Sequence, residues 1–107
     1  MNAVLTQAAE AHSQDMVKNN FFAHNGSDGS TLGTRVTAAG YAWSSLGENI
    51  AAGQRTVNEV VDGWMASDGH CANIMNGTFQ EIGVVCVPGT AADTYPTYWT
   101  MDLGRAR

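Results

Sequence analysis

The segment EIGVVCVP at residues 81–88 limits the possible folds more than any other, because its apolar side chains would lie on both faces of a strand. Such a strand must be covered from both sides, which is typical of a central position in a sheet. A second extended segment, TYPTYWTMDLG at 94–104, places Trp99, Met101 and Leu103 on one side. Because proline cannot donate to a strand ladder, Pro96 must lie near the start of this strand or on an edge.

Two helices are predicted in the N-terminal part. Apolar residues recur at three- and four-residue steps over residues 3–20, and His12 lies on that apolar stripe. A loop rich in Gly, Ser, Asn and Asp follows this helix. A shorter helix is predicted over 31–39, with Ser30 as its N-cap and Gly40 as its C-terminal stop.

The middle of the chain predicts a strand followed by two helical segments. YAWSSLGENIAAG, at residues 41–53, is typical of an irregular strand entered through a turn. TVNE at 56–59 has the pattern of a capping box, so a third helix should begin there. Residues 70–75 predict one further helical turn.

Helices and strands are therefore interspersed along a chain of 107 residues, which is enough for one domain and too few for two. The predicted fold class is α+β, a three-layer α-β-α sandwich with a small, mainly antiparallel sheet. We expect residues 1–107 to form this single domain.

Charge and hydropathy exclude two classes of partner. The net charge is −5, from 10 acidic and 5 basic residues, and no basic run or stripe is present, so nucleic-acid binding is not expected. No apolar stretch approaches the ~20 residues needed to span a bilayer. The first residues lack a basic region and are interrupted by Glu10, so they are not a signal peptide, although one could have been removed before residue 1.

The two cysteines, Cys71 and Cys86, leave two alternatives open. They could be two buried free thiols in a cytosolic protein. A disulfide between them would close a loop of about 15 residues and contribute roughly 3 kcal/mol. We predict the disulfide, which favours an oxidising compartment outside the cytoplasm.

Three residues are candidates for chemistry: His24, Glu48 and His70. Two imidazoles and a carboxylate would suit a divalent metal such as zinc, and equally a general-base pair. Structural roles are the alternative, because Glu48 could hold loop N–H groups and both histidines could cap turns. His12 is expected to be a packed or hydrogen-bonded core histidine. No HExxH, GxSxG or CxxC motif is present, so spacing alone does not select a mechanism.

Four segments together resemble the CAP superfamily, also called the SCP-like extracellular domain, which includes cysteine-rich secretory proteins, antigens and pathogenesis-related proteins. The segments are similar to the bacterial branch, follow the order of the family and cover nearly the whole chain. They are AHSQDMVKNNFFAHNGSDGST, AGYAWSSLGENIAAG, VVDGWMASDGHCANIMNGTFQEIGVVC and YWTMDLG.

The resemblance implies an α-β-α sandwich, secretion and a central cleft lined by two histidines and acidic residues. His24 matches the histidine of a Phe-x-His segment, Glu48 the glutamate of Gly-Glu-Asn, and His70 the second cleft histidine. In some members such groups bind a divalent metal, often zinc. Cys71 and Cys86 resemble the bridge of part of the bacterial branch.

The sequence departs from the family at two places. A second glutamate often follows the helix tryptophan, whereas Ser67 and Asp68 stand in that region here and could be additional polar cleft residues. The helix with an Asn-x-x-Arg segment that normally opens the domain is not found, so the domain looks N-terminally shortened. The core face left uncovered would predict an apolar patch and a dimer through it.

These observations favour a secreted module that binds an extracellular ligand, such as a lipid or sterol, a glycan or a protein partner, with or without a divalent metal. The missing second glutamate and the lack of a nucleophile motif favour binding over catalysis. The alternatives are a metal-dependent hydrolase or peptidase that uses the same cleft, and a non-catalytic structural domain.

Overall fold

The computed structural model describes all residues, 1–107, as four helices and a three-stranded antiparallel sheet of strand order β1-β3-β2. Helices lie on both faces of the sheet, which confirms the predicted α+β class and its three layers. In chain order the elements are α1 (Ala3–Asn19), α2 (Leu32–Ala39), β1 (Trp43–Ala52), α3 (Val57–Met65), α4 (Asp68–Met75), β2 (Glu81–Pro88) and β3 (Thr97–Ala106).

The two faces of the sheet carry separate cores, and strand alternation decides which residue joins which. On β1, Ile50 packs with Met16 of α1, whereas the next residue, Ala51, packs with Trp64 of α3. From Leu46 onward in β1, after a register shift between Trp43 and Ser45, and throughout β3, even-numbered residues face α1 and α2 and odd-numbered residues face α3 and α4. This alternation determines on which side of the sheet each candidate residue lies.

Capping side chains determine where the helices begin. The second helix is capped by Thr31, not by Ser30 as predicted, because Thr31 and Thr34 exchange hydrogen bonds in a capping box. Gly40 ends that helix with φ 101°, a conformation that favours glycine. Thr56 caps α3 as predicted, accepting a hydrogen bond from the N–H of Glu59.

The prediction that the 81–88 strand is central was wrong, because β3 is the central strand and β2 lies at an edge. Both faces of β2 are covered nonetheless. α1 packs on one face, and Ile82 and Val84 join the core beneath α3 and α4 on the other. Apolar residues on both faces of a strand therefore indicate that helices cover both faces of the sheet. They do not indicate a neighbouring strand on each side.

Gly83 is where α1 approaches the sheet most closely, since a Cβ there would overlap the backbone of Leu5 and Thr6. We expect Gly83→Ala to lower the free energy of unfolding by about 2–3 kcal/mol, because overpacked backbone contacts force α1 away from β2. Urea unfolding would measure this loss. Gly69→Ala is the matched control, because it meets nothing within 4 Å, and it should leave stability unchanged or slightly raised. Equal stability of both variants would contradict the close packing.

The predicted Cys71–Cys86 disulfide is absent, and both cysteines are free. Cys71 lies on α4, which contacts β1, whereas Cys86 lies on β2 at the opposite edge of the sheet. The sequence separation suited a bridge, but the structure forms none.

We expect two alkylatable thiols in the never-reduced, denatured protein, measured by intact mass after iodoacetamide. In the native protein the exposed Cys86 should react before the half-buried Cys71, although partial burial raises the pKa of the Cys86 thiol. A reductant should leave Tm unchanged. A mass two protons lower before reduction, with no alkylation in denaturant, would contradict the free thiols.

Candidate functional site

A band of buried polar side chains crosses the core between the sheet and the α1/α2 layer. It separates the apolar cluster around Leu5 and Val36 from the one around Met16 and Tyr98. We call this band the polar belt. Its members are His12, Ser13, Arg35, Glu48, Thr100 and Asp102, of which all but Arg35 are buried to at least 94%. Such a band needs complete pairing, because an unpaired polar group in a core is costly.

Glu48 is the centre of the polar belt. As an even-numbered residue of β1 it points under α1 and α2, and its side chain is only 2% exposed. Its Oε1 lies 2.9 Å from His24 Nδ1 and its Oε2 accepts from Arg35 Nη2 at 2.7 Å. Burial alone would raise the pKa of Glu48. Hydrogen bonds from His24 and Asp102 and the charge of Arg35 outweigh burial and lower that pKa to about 2.

Arg35 on α2 ties the 20–31 loop to the core. Its Nη1 donates to the main-chain oxygen of His24 at 2.7 Å and to Nδ1 of His12 at 3.1 Å. His12 Nε2 donates to the oxygen of Ala23 at 2.7 Å, so the ring carries its proton on Nε2 and is neutral. Burial lowers the pKa of His12 further. The structure thus places His12 in the core, hydrogen-bonded at both nitrogens.

Asp102 of β3 lies directly opposite Glu48 and is fully buried. Neither of its oxygens meets an N–H or O–H donor, so an ionised Asp102 would lack any partner. Burial raises the pKa of Asp102 to about 10, and hydrogen bonding to Glu48 together with its charge adds to the rise. Asp102 is therefore a neutral carboxylic acid that donates to Glu48.

His70 lies on the other face of the sheet, on α4. Its Nδ1 is 2.9 Å from Ser67 Oγ, and its main-chain oxygen accepts from Asn49 Nδ2 at 3.1 Å. Asn73 Nδ2 donates to Asn49 Oδ1 at 2.9 Å, which fixes α4 against β1. The ring of His70 thus pairs with Ser67 and not with the His24–Glu48 pair.

The remaining predicted polar residue, Asp68, is the first residue of α4 and is exposed. The structure therefore brings His24 and Glu48 into direct contact and pairs His70 with Ser67. The His24–Glu48 pair and the His70–Ser67 pair lie on opposite faces of the sheet, and both lie next to β1, which is an edge strand.

A groove of about 290 Å³ runs along this free edge. We call it the edge groove and define it by Phe22, the β1 segment 50–52, Trp64, His70 and Tyr95. The rings of Phe22 and Tyr95 have centroids 6.2 Å apart and are 45% and 40% exposed, respectively. Gln54 also lines the groove, and its buried Oε1 has no hydrogen-bond partner. The edge groove therefore combines exposed aromatic surface with an unsatisfied acceptor.

The residues present do not fit a catalytic zinc centre. Both oxygens of Glu48 are already engaged, by His24 and by the Arg35 guanidinium. No three His, Cys, Asp or Glu side chains converge in an arrangement that could hold a metal ion. Catalytic zinc usually takes three protein ligands and keeps one open position. A positive charge beside Glu48 is supplied by arginine instead.

Sequence reasoning missed Arg35 and Asp102. Arg35 belongs to no quoted motif, and its role depends on where α2 lies. Asp102 lies between the apolar residues Met101 and Leu103, and a polar residue in that position is typical of the solvent-facing side of a strand. The predicted second helical layer could have located Asp102, because a sheet covered on both faces buries its alternate residues as well.

The α-β-α sandwich with a histidine–glutamate pair at one edge of the sheet defines an SCP-like domain. Residues 1–103 match the Cysteine-rich secretory protein family, CAP, and the chain belongs to that family. An uncharacterized protein, YkwD of Bacillus subtilis (strain 168), is 40% identical over 84 residues, which is 78% of this chain and 33% of YkwD. The chain thus spans about a third of the length of this relative.

Solved structures agree with this assignment. An extracellular protein containing a SCP domain from Bacillus anthracis str. Ames is 31% identical with a TM-score of 0.84, covering 97% of this chain and 32% of that one. An outer surface protein from Borrelia burgdorferi has a TM-score of 0.87 at 20% identity, over 99% of this chain and 76% of that one, and shows the fold alone. No helix here has the length and apolarity to cross a bilayer.

Proposed function

We propose that the chain is a ligand-binding module that acts outside the cytoplasm and holds its ligand in the edge groove. The observation that carries this proposal is a contrast between two regions. In the polar belt both oxygens of Glu48 are engaged, by His24 and by Arg35, whereas the edge groove keeps two exposed aromatic rings. Exposed apolar surface of this kind is what a ligand can cover.

An extracytoplasmic location is supported by the relatives. The Bacillus anthracis protein is described as extracellular and the Borrelia burgdorferi protein as an outer surface protein. We therefore propose that the ligand is met at or beyond the cell surface. Lipid or sterol, glycan and protein partner are the classes to be compared.

The proposal is tested by titrating the chain with three probes: randomised linear peptides, a set of cell-wall oligosaccharides and palmitate. Trp64 lines the groove, so its fluorescence reports occupancy. We expect one probe class to bind and the double substitution Phe22→Ala and Tyr95→Ala to weaken it about tenfold or more. The control Met75→Ala removes an apolar side chain that is 69% exposed on α4 and should bind normally. Binding by no class, or undiminished binding by the double variant, would overturn the proposal.

A hydrolase is the second candidate, favoured by the His24–Glu48 pair at 2.9 Å. A carboxylate-oriented histidine resembles a general acid–base pair. The hydrogen bond with Glu48 raises the pKa of His24, which favours the imidazolium, a form that can neither accept a proton nor bind a metal. A fluorogenic peptide pool incubated with the chain and with His24→Ala would decide, and turnover lost in the variant would establish the hydrolase.

We expect zinc to bind neither the chain nor His70→Ala with defined stoichiometry. The reason is the donor set, in which Glu48 is already neutralised by Arg35 and no third ligand completes a site. Calorimetric zinc titration of both proteins would check this, together with Tm in the presence of zinc. One equivalent of zinc bound by the chain and lost in His70→Ala would contradict the expectation.

A further inference from the structure

We propose that the edge groove binds an extended peptide, which adds to β1 as an extra strand through the main-chain groups of Ile50 and Ala52. This inference rests on the proposed function and deepens it by naming the chemical class of the ligand. It follows from the hydrogen-bond pattern of β1, from the groups that already occupy its outer edge and from the walls of the groove.

The register of the sheet shows which groups of β1 are free. The N–H of Gly53 donates to the oxygen of Thr97 at 3.0 Å, so the odd-numbered residues of β1 form the hydrogen-bonded pairs with β3. In an antiparallel ladder the alternate residues point their N–H and C=O groups away from that partner. β1 is an edge strand, so the main-chain groups of Glu48, Ile50 and Ala52 point to its outer edge.

Side chains occupy two of the outward carbonyls and leave the donors free. Trp64 Nε1 donates to the oxygen of Ile50 at 3.1 Å, and Asn73 Nδ2 donates to the oxygen of Glu48 at 3.3 Å. No side chain or loop accepts the N–H of Ile50 or of Ala52, and the oxygen of Ala52 is also unpaired. This part of the edge thus has two N–H groups and one C=O group without a hydrogen-bond partner, beside the groove.

This pattern matches an extended peptide better than a sugar or an acyl chain. The two N–H groups lie two residues apart, roughly 7 Å, which is the repeat of carbonyl groups along an extended strand. A peptide can accept both N–H groups and donate one N–H to Ala52, as in strand addition. An acyl chain can neither accept from these N–H groups nor donate to the oxygen of Ala52. Sugar hydroxyls do not repeat at the fixed spacing of the two N–H groups.

The walls of the groove supply contacts for alternate side chains of the peptide. The rings of Phe22 and Tyr95 present apolar surface. The Nε2 of His70 remains available for a hydrogen bond, because Ser67 engages only Nδ1. A strand with an apolar side chain toward the rings and a polar side chain toward His70 would use both contacts.

The test uses linear octapeptides selected from a random phage-displayed library and then synthesised with acetylated and amidated ends, so that no terminal charge contributes. The key variant is Ala52→Pro, which removes one outward N–H and leaves pairing with β3 intact, since proline is tolerated on edge strands. The matched comparison is Ala52→Val, which also enlarges the side chain but keeps the N–H. We expect Ala52→Pro to bind the best peptide about tenfold more weakly than Ala52→Val does.

A measurement on the unmodified chain covers the case in which Ala52→Pro fails to fold. Amide hydrogen exchange of Ile50 and Ala52, followed by NMR, should slow at least about tenfold when the peptide is added, while amides at the far edge, in β2, stay unchanged. Peptide binding with unchanged exchange at both residues, or with full affinity in folded Ala52→Pro, would overturn the strand addition. Binding of an oligosaccharide or palmitate in the groove with no peptide bound would overturn the peptide and leave the proposed function standing. Binding of no probe would overturn both.

Discussion

Asp102→Asn is expected to stabilise the protein by at least about 2 kcal/mol at pH 8 and to have almost no effect at pH 3.5. Burial raises the pKa of Asp102 from an ordinary 3.8 to about 10, so the folded protein holds a proton that the unfolded chain releases at neutral pH. Each pKa unit corresponds to about 1.4 kcal/mol. Asparagine is a neutral isostere that donates to Glu48 without taking up this proton.

The sign of the effect follows from linkage. A group whose pKa is raised on folding contributes fully below its unfolded pKa, here about 4, and its contribution is lost as pH rises toward 10. The unsubstituted protein should lose this contribution to its free energy of unfolding between pH 4 and pH 10, and the Asp102→Asn protein should not. Urea unfolding at pH 3.5, 6 and 8 would measure the difference. The exposed Asp62→Asn should shift stability by no more than about 0.5 kcal/mol at every pH. A variant that is less stable at pH 8 would show that Asp102 is ionised.

Glu48→Gln is expected to cost about 3–5 kcal/mol at neutral pH. The substitution leaves the Arg35 guanidinium, only 10% exposed, beside a neutral amide, and removing one partner of a buried ion pair is costly. A domain of this size has a total stability of about 5–15 kcal/mol, so the variant should unfold at a much lower urea concentration. The exposed Glu10→Gln is the control and should change stability by about 0.5 kcal/mol at most.

Two further observations would establish the role of Glu48. Its pKa is lowered to about 2 in the folded state, so its contribution is present above about pH 4.5 and is lost as pH falls through 2. The disadvantage of Glu48→Gln should shrink over that window. The hydrogen bond with Glu48 and its charge contribute to the raised pKa of Asp102, so this pKa should fall when Glu48 is replaced. Asp102→Asn should therefore stabilise the Glu48→Gln protein less than it stabilises the unsubstituted one. Simple additivity of the two substitutions would contradict this coupling.

Local structure and the layer arrangement could be predicted from the sequence, because periodicity and caps are properties of short segments. The helix over 3–20 and the start of α3 at Thr56 are examples. Strand order could not be predicted, because apolar residues on both faces of the 81–88 strand report covering layers and not neighbouring strands. The disulfide was also wrong, because a suitable sequence separation does not determine how α4 and β2 pack.

The candidate site was predictable where it coincides with a motif. His24 and Glu48 come from two such motifs and meet in the structure. Their partners, Arg35 and Asp102, meet Glu48 only after α2 and β3 are placed. Arg35 lies in none of the four segments, and Asp102 lies in YWTMDLG, whose resemblance assigns it no role. The edge groove was not predictable either, since it depends on β1 being the outer strand of the sheet.

Two regions of this domain have different roles in our proposal: the free edge of β1 binds the ligand, while the His24–Glu48–Arg35 group holds the fold. A crystal structure of the chain grown with the best selected peptide would distinguish these roles at once. We predict a strand beside Ile50 and Ala52, with a side chain against the rings of Phe22 and Tyr95 and the His24–Glu48 contact unchanged. A peptide bound across His24 with the Glu48 pairing broken, or bound away from the edge groove, would contradict the proposal.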